Sequence, residues 1–268
     1  MATDGAAARP DLAALPRPVR VLYPEVAAGG FSRVDGTVAF YQRVRALLAQ
    51  AGPEATVLDY GAGRGAVVDD PVPFRRELRT LRHGAGRVIG IDVDPVVLDN
   101  PVLDEAHVVR PGDRLPLGEA SVDLIVSDFT FEHVSDPSWV AAELDRVLVP
   151  GGWICARTPN RRGYIGLGAR LVPNRLHVRF LRTLQPTKKA EDTFPTAYRL
   201  NTPADLRHWF PPPAWEHSVW ATDSEPVYVG QSLAAGRLNR AVFALTPPGL
   251  RSMLNVFLHK APGDGPAR

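Results

Sequence analysis

Cysteine is all but missing from this 268-residue chain: Cys155 is the only one. That excludes an intrachain disulfide and a thiolate metal cluster, and its apolar neighbours make it a buried structural thiol. No Cys/His cluster or H-x-x-H spacing is present either, so no metal site is expected. No uninterrupted apolar run approaches the roughly 18 residues of a membrane span. Met1 to Asp11 has neither the basic start nor the apolar stretch of a secretion signal, so a soluble, cytoplasmic chain is expected. Acids are absent between Gly151 and Ala190, where nine Arg or Lys occur. That block either meets something anionic or is a solvated face balanced by the acidic first half. Aromatic residues are not interleaved with it and no RNA-binding module is recognisable, which argues against nucleic acid. The net charge of +2 points to no partner. Internal repeats are lacking.

What is present is ample apolar content, 45%, for one sizeable core. Short apolar stretches ending in turns alternate with helical periodicity. Strands are expected at 56–60, 87–92, 106–109, 122–128 and 153–158, then at 215–220 and 253–260. A helix begins near Asp35 or Thr37, another is capped by Asp136 with Pro137 in its first turn, and Thr202 caps a third. Such alternation gives an α/β fold with a doubly wound, mostly parallel sheet of seven strands. Expected divisions are a tail at 1–18, an arm and helix at 19–50, a core at 51–160 and a basic helical insertion at 161–210. The last strands and an amphipathic helix follow at 211–261, and a second tail at 262–268.

The most informative stretch is VLDYGAGRG, residues 57–65. Gly61, Gly63 and Gly65 permit backbone angles closed to other residues and let a ligand approach the main chain. In open α/β sheets ligands sit at the carboxyl ends of the strands, and three of those ends carry acids: Asp59, Asp92 and Asp128. Asp92 can accept from both hydroxyls of a ribose, and Asp113 in the following loop from an exocyclic amine or simply shape a turn. GAGRGA also satisfies the dinucleotide pattern, so an NAD-dependent oxidoreductase is an alternative. Against it, Asp59 would repel a pyrophosphate and welcome a cation.

Taken in order, Asp59-x-Gly61-x-Gly63-x-Gly65, GIDVD, GDRLPL, SDFTFEHVSDP and LVPGGWICARTPN resemble the class I S-adenosylmethionine-dependent methyltransferases over about residues 55–160. The resemblance implies a Rossmann-like methyltransferase fold. It implies that S-adenosyl-L-methionine is held by Asp59, Tyr60, Gly61, Gly63 and Gly65, with Asp92 and Val93 at the ribose and Asp113 and Arg114 at the adenine. Asp128 and Phe129 would line the methyl-transfer end. One departure is the proline-rich detour VVDDPVP, where the family has a helix directly after the glycines.

A hydroxyl acceptor would need a base, for which His133 is the natural candidate, with Asp128 and Glu132 as alternatives. His133 could instead merely order its loop. Acceptor choice should lie in 19–45, 157–200 and 237–253. Arg157, Asn160, Arg161 and Arg162 follow strand five at the active end, where guanidinium forks suit a carboxylate or phosphate. They could equally pair with acids of the first half. TPNRRGYIGLGARLV resembles bacterial methyltransferases of cell-surface glycan or small-molecule biosynthesis. The expectation is therefore O-methylation of a sugar or an anionic, even lipid-linked, small molecule, with peripheral membrane contact as an option. An RNA methyltransferase and a non-catalytic cofactor-binding protein are further alternatives. Neither the acceptor nor the oligomeric state follows from the sequence.

Overall fold

The computed structural model describes residues 15–163, 195–223, 225 and 230–263. Seven strands form one sheet: β1 (Thr56–Tyr60), β2 (Arg87–Asp92), β3 (Glu105–Val108), β4 (Val122–Asp128), β5 (Leu148–Pro159), β6 (Trp215–Thr222) and β7 (Met253–Lys260). Their order is β3-β2-β1-β4-β5-β7-β6. β1 to β5 run parallel, and β7 is antiparallel to both β5 and β6. The chain order therefore reverses between β1 and β4, where a ligand crevice belongs in such sheets.

Alternation along each strand splits the core into two layers. Leu58, Ile125, Ile154 and Val256 face α4 (Pro137–Val147) and α5 (Pro203–Trp209), through Val140, Leu144 and Leu206. Val57, Leu124, Val126 and Phe257 face α2 (Gly36–Ala51), through Phe40, Tyr41, Val44 and Leu48. Cys155 lies in this second layer, and burial pushes its thiol far above the ordinary range, as its apolar neighbours imply. Two further helices are α1 (Arg17–Leu22) and α3 (Pro73–Arg79), and α6 spans Leu233–Leu245.

Caps behave as the sequence predicts: the side chains of Asp35, Asp136 and Thr202 each accept from backbone N–H groups of the helix they open. α1 starts at Arg17, inside the stretch expected as a tail, because Pro18, Val19 and Leu22 find a buried place there. Of the basic insertion, 164–194 lies outside the described residues, as do 1–14 and 264–268 of the two tails.

The detour after Gly65 has a physical reason. A 3₁₀ turn at Ala66–Asp69 is followed by buried Asp70, whose Oδ1 accepts from Val72 N at 3.0 Å. Arg75 donates to both Asp70 oxygens, at 2.7 and 2.8 Å, and to Asp35 at 2.8 Å. The detour is thus pinned to the cap of α2, and Phe74 stacks on Phe31 of the arm at 5.2 Å.

Candidate active site

A cleft of about 1180 Å³ opens at the carboxyl ends of β1, β2 and β4. That exceeds the roughly 300–1,000 Å³ typical of one ligand's pocket and leaves room for two molecules. In register, Asp59 lies opposite Gly90 on β2 and Val126 on β4. Asp92 and Asp128, each two residues further along, flank it. Burial first, then the charges of Asp128 and Asp92, raise the Asp59 carboxyl to about 7, against the opposing charge of Arg79. Among the described residues Asp59 has no ion-pair partner of its own, although Arg157 neutralises Asp128 and Arg79 lies near enough to oppose its shift.

The glycine loop is set by contacts rather than composition alone. Gly61 has φ +83°, and a Cβ there would collide with Thr130 Oγ1; Gly65 has φ +72°, and a Cβ there would collide with Asn100 Oδ1. Asn100 Nδ2 donates to the carbonyls of Ala62 and Gly63, both at 3.1 Å. Asp92 Oδ2 accepts from Gly63 N at 2.9 Å and its Oδ1 from Asp94 N at 2.9 Å, which fixes the carboxylate. Tyr60 and Val93 also line the cleft, and burial followed by the Asp92 charge lifts the Tyr60 hydroxyl to about 12.

Asp113 and Arg114 depart from expectation. Both are exposed and outside the lining: Asp113 N closes a turn onto Arg110 O, and Arg114 faces Glu119. From this loop the lining comes from Arg110, Pro111 and buried Leu115 instead.

The four residues expected to bind an acceptor do not line the cleft either. Arg157 is buried and donates to both oxygens of Asp128 at 2.8 Å and to Thr37 Oγ1 at 2.9 Å. Its guanidinium lies 4.8 Å from the Phe129 ring centroid. Asn160 is spent on the carbonyls of Gly249 and Arg251, and Arg161 on the Tyr198 carbonyl and Asp205. Arg162 is exposed. Positive charge in the cleft wall comes instead from Arg79 at the end of α3, whose Nη1 also donates to Asp70 at 3.2 Å, with Arg64 and Arg110.

The candidate bases are brought together. Asp128, Phe129, Glu132 and His133 all line the cleft. Asp128 is the least available, since it is bound to Arg157 and faces the Tyr41 hydroxyl at 3.3 Å. Phe129 is left-handed, φ +59°, an uncommon state for a bulky residue that the Phe129 N to Arg157 O bond holds in place. Buried Glu132 accepts from Thr158 Oγ1 at 2.8 Å, which accepts from Asn201 Nδ2 at 2.7 Å. Burial raises its carboxyl above the usual range. His133 Nδ1 faces the Pro195 carbonyl at 3.0 Å, so in the neutral ring Nδ1 carries the proton and the lone pair is on Nε2.

Asn100, Thr130, Tyr41 and Arg79 were not legible as site residues. Tyr41 reads only as part of an apolar helix face, Thr130 lies inside SDFTFEHVSDP without a role of its own, and no motif marks Asn100 or Arg79.

This sheet order, with a glycine turn and three strand-end acids around one cleft, defines a Rossmann-like methyltransferase fold. Residues 58–156 match the methyltransferase domain family, and over about that stretch the chain is similar to S-adenosylmethionine-dependent methyltransferases. A probable S-adenosylmethionine-dependent methyltransferase of Mycolicibacterium smegmatis is 33% identical over 138 residues, 50% of this chain and 49% of that protein. A ubiquinone biosynthesis O-methyltransferase of Hydrogenovibrio crunogenus is 27% identical over 114 residues, 40% of this chain and 43% of that one. The chain thus spans no more than about half the length of these relatives. Among solved structures, a chain of the Haloferax volcanii complex between the Trm112 methyltransferase activator and a methyltransferase superposes with TM-score 0.50 at 19% identity. That match covers 85% of this chain and 92% of that chain. Among the described residues, no helix is long and apolar enough to cross a membrane.

Proposed function

We propose that this protein transfers a methyl group from S-adenosylmethionine to a hydroxyl oxygen of a sugar or of an anionic small molecule, on the cytoplasmic side. The observation that carries the methyl-transfer reading is the cluster of Asp59, Asp92 and Asp128 around a cleft with Asp59 near pKa 7. A sulfonium with an ammonium group satisfies that charge deficit, whereas a dinucleotide pyrophosphate adds to it. When bound, the cofactor supplies an electrophilic methyl group. The glycine loop with Asp59 fits its amino-acid part, fixed Asp92 and Val93 its ribose, and Pro111 with Leu115 its base; Asp113 and Arg114 remain candidates at the loop edge.

The chain's own contribution is placement and a proton acceptor. Methyl displacement gains mainly from alignment. His133 Nε2 takes the proton of the acceptor hydroxyl, and the Nδ1 contact to Pro195 orients the ring. Glu132 anchors the same loop through Thr158 and, through its main-chain oxygen, Ala197 and Tyr198. Arg79 replaces Arg157, Arg161 and Arg162 as the guanidinium for an anionic acceptor. The oxygen acceptor is in keeping with the O-methyltransferase description of the Hydrogenovibrio relative. The test is turnover of radiolabelled S-adenosylmethionine on acceptor pools. His133→Gln should cut kcat at least about 100-fold with cofactor affinity unchanged, and Arg79→Ala should raise KM for anionic acceptors only. Labelling confined to RNA, or binding without turnover on any pool, overturns the reading.

A further inference from the structure

Asp70 is buried, and the guanidinium groups of Arg75 and Arg79 converge on it. Arg75 takes both of its oxygens, at 2.7 and 2.8 Å, whereas Arg79 reaches Oδ2 through Nη1 at 3.2 Å. The remaining nitrogen of Arg75 donates to Asp35 Oδ2 at 2.8 Å, and Asp35 Oδ1 caps α2. A bidentate pair is the stronger use of a carboxylate. Arg75 therefore satisfies Asp70, and Arg79 keeps one long contact to it. Arg79 Nε is buried with no partner among the described residues.

Arg75 and Arg79 are one turn apart on α3, yet of the two it is Arg79 that lines the cleft. Its guanidinium lies 5.9 Å from the Tyr41 ring centroid, and the Tyr41 hydroxyl faces Asp128 Oδ2 at 3.3 Å. Arg157 closes a circuit: it binds Asp128 and donates to Thr37 Oγ1, in the first turn of the helix that Asp35 caps. The contacts thus run from the cleft wall through Asp70, Arg75 and Asp35 and back to Asp128. Without Arg75, buried Asp70 would need another cation, since an unpaired buried carboxylate is costly. Arg79 is already in contact with it. Turning fully onto Asp70 would take its charge out of the cleft.

We propose that Arg75 is a positioning residue for acceptor binding: by taking both oxygens of Asp70, it leaves the Arg79 guanidinium in the cleft wall to grip a carboxylate of the acceptor. A guanidinium held in place loses little rotamer freedom when it meets an anion. A carboxylate suits the position better than a phosphate, because Asp59 and Asp92 line the same cleft and would repel a second negative charge. The inference rests on the methyl-transfer reading above and narrows its acceptor to a molecule that bears a carboxylate.

The test reads the Arg79 Nε–H signal by nuclear magnetic resonance, in the full chain isotope-labelled at arginine nitrogen, with S-adenosylmethionine present. Arg79→Lys assigns the signal. Sodium acetate at constant ionic strength should shift it saturably, and inorganic phosphate should shift it less. Arg75→Gln removes the charge and keeps one donor. It should weaken acetate binding at least about tenfold, the equivalent of one hydrogen bond to a charged group. Adding Asp70→Asn removes the competing carboxylate and should recover most of that loss. A merely structural Arg75 predicts the reverse: a double variant no better than the single one. An unchanged response in Arg75→Gln, no recovery in the double variant, or a stronger response to phosphate overturns the proposal. A chain that takes up no S-adenosylmethionine sinks the methyl-transfer reading with it, whereas a cofactor-loaded wild type without the acetate response sinks this inference alone.

Discussion

Asp59→Asn should make this protein more stable while destroying its cofactor site. Asp59 is half-buried, and its carboxyl stands at about 7 against 3.8 for the free side chain. A carboxyl raised on folding costs nothing while protonated in both states. It costs more as pH rises from about 4, where the unfolded chain ionises, to about 7, where the folded one does. At 1.36 kcal/mol per unit, the full penalty above pH 7 is about 4 kcal/mol. Asp59 is partly open to the cleft, so water screens some of this and about 2–4 kcal/mol is the expected gain. Asparagine keeps the shape and removes the charge. For a chain of this size, about 2–4 °C per kcal/mol puts the melting temperature some 5–15 °C higher at pH 8. The gain should vanish near pH 4. Calorimetric melting of wild type and variant without cofactor, across that pH range, measures it. A variant no more stable than wild type at pH 8, or equally stabilised at pH 4, would refute the idea that the Asp59 charge is uncompensated.

Three further outcomes follow. S-adenosylmethionine affinity should be level above about pH 7 and fall up to tenfold per unit below it, because Asp59 must release its proton to meet a cation. Titrations in buffers of different ionisation enthalpy should show that proton, and a flat profile down to about pH 5.5 would count against it. Arg157→Met leaves the partly buried Asp128 without its ion-pair partner and should cost about 2–4 kcal/mol, much of it recovered when Asp128→Asn is added; additive losses in denaturant melts would contradict the pairing. Gly65→Ala forces a Cβ into Asn100 at φ +72° and loosens both of its bonds to the glycine loop. It should weaken the cofactor at least about tenfold for a stability loss of only about 1–3 kcal/mol.

The fold was legible because its signals are periodic and local. β1, β2 and β4 fall at the predicted bounds, since each is an apolar run ended by an acid, and the caps at Asp35, Asp136 and Thr202 are short-range chemistry. β5 starts earlier than WICART, at Leu148, because its Pro150–Gly152 turn is absorbed as an irregularity in the pairing with β4. Side-chain partnerships were less legible. Arg157 lies near the carboxyl end of β5, where an acceptor-binding arginine would be expected, but Thr37, Phe40 and Asp128 come from distant segments and claim it. Asp113 sits in the expected loop, yet the Arg110 turn aims it outward. Asn100 acquires its role only when the segment after β2 reaches the glycine loop, and Arg79 only when α3 packs back onto Asp70.

The central claim is that the acid-lined cleft holds S-adenosylmethionine. Isothermal calorimetry at pH 8 tests it most directly, with wild type, Asp92→Ala, and NAD in place of S-adenosylmethionine. Micromolar binding of S-adenosylmethionine, lost in the variant and absent for NAD, is the predicted result; binding of NAD alone, or of neither, contradicts the account.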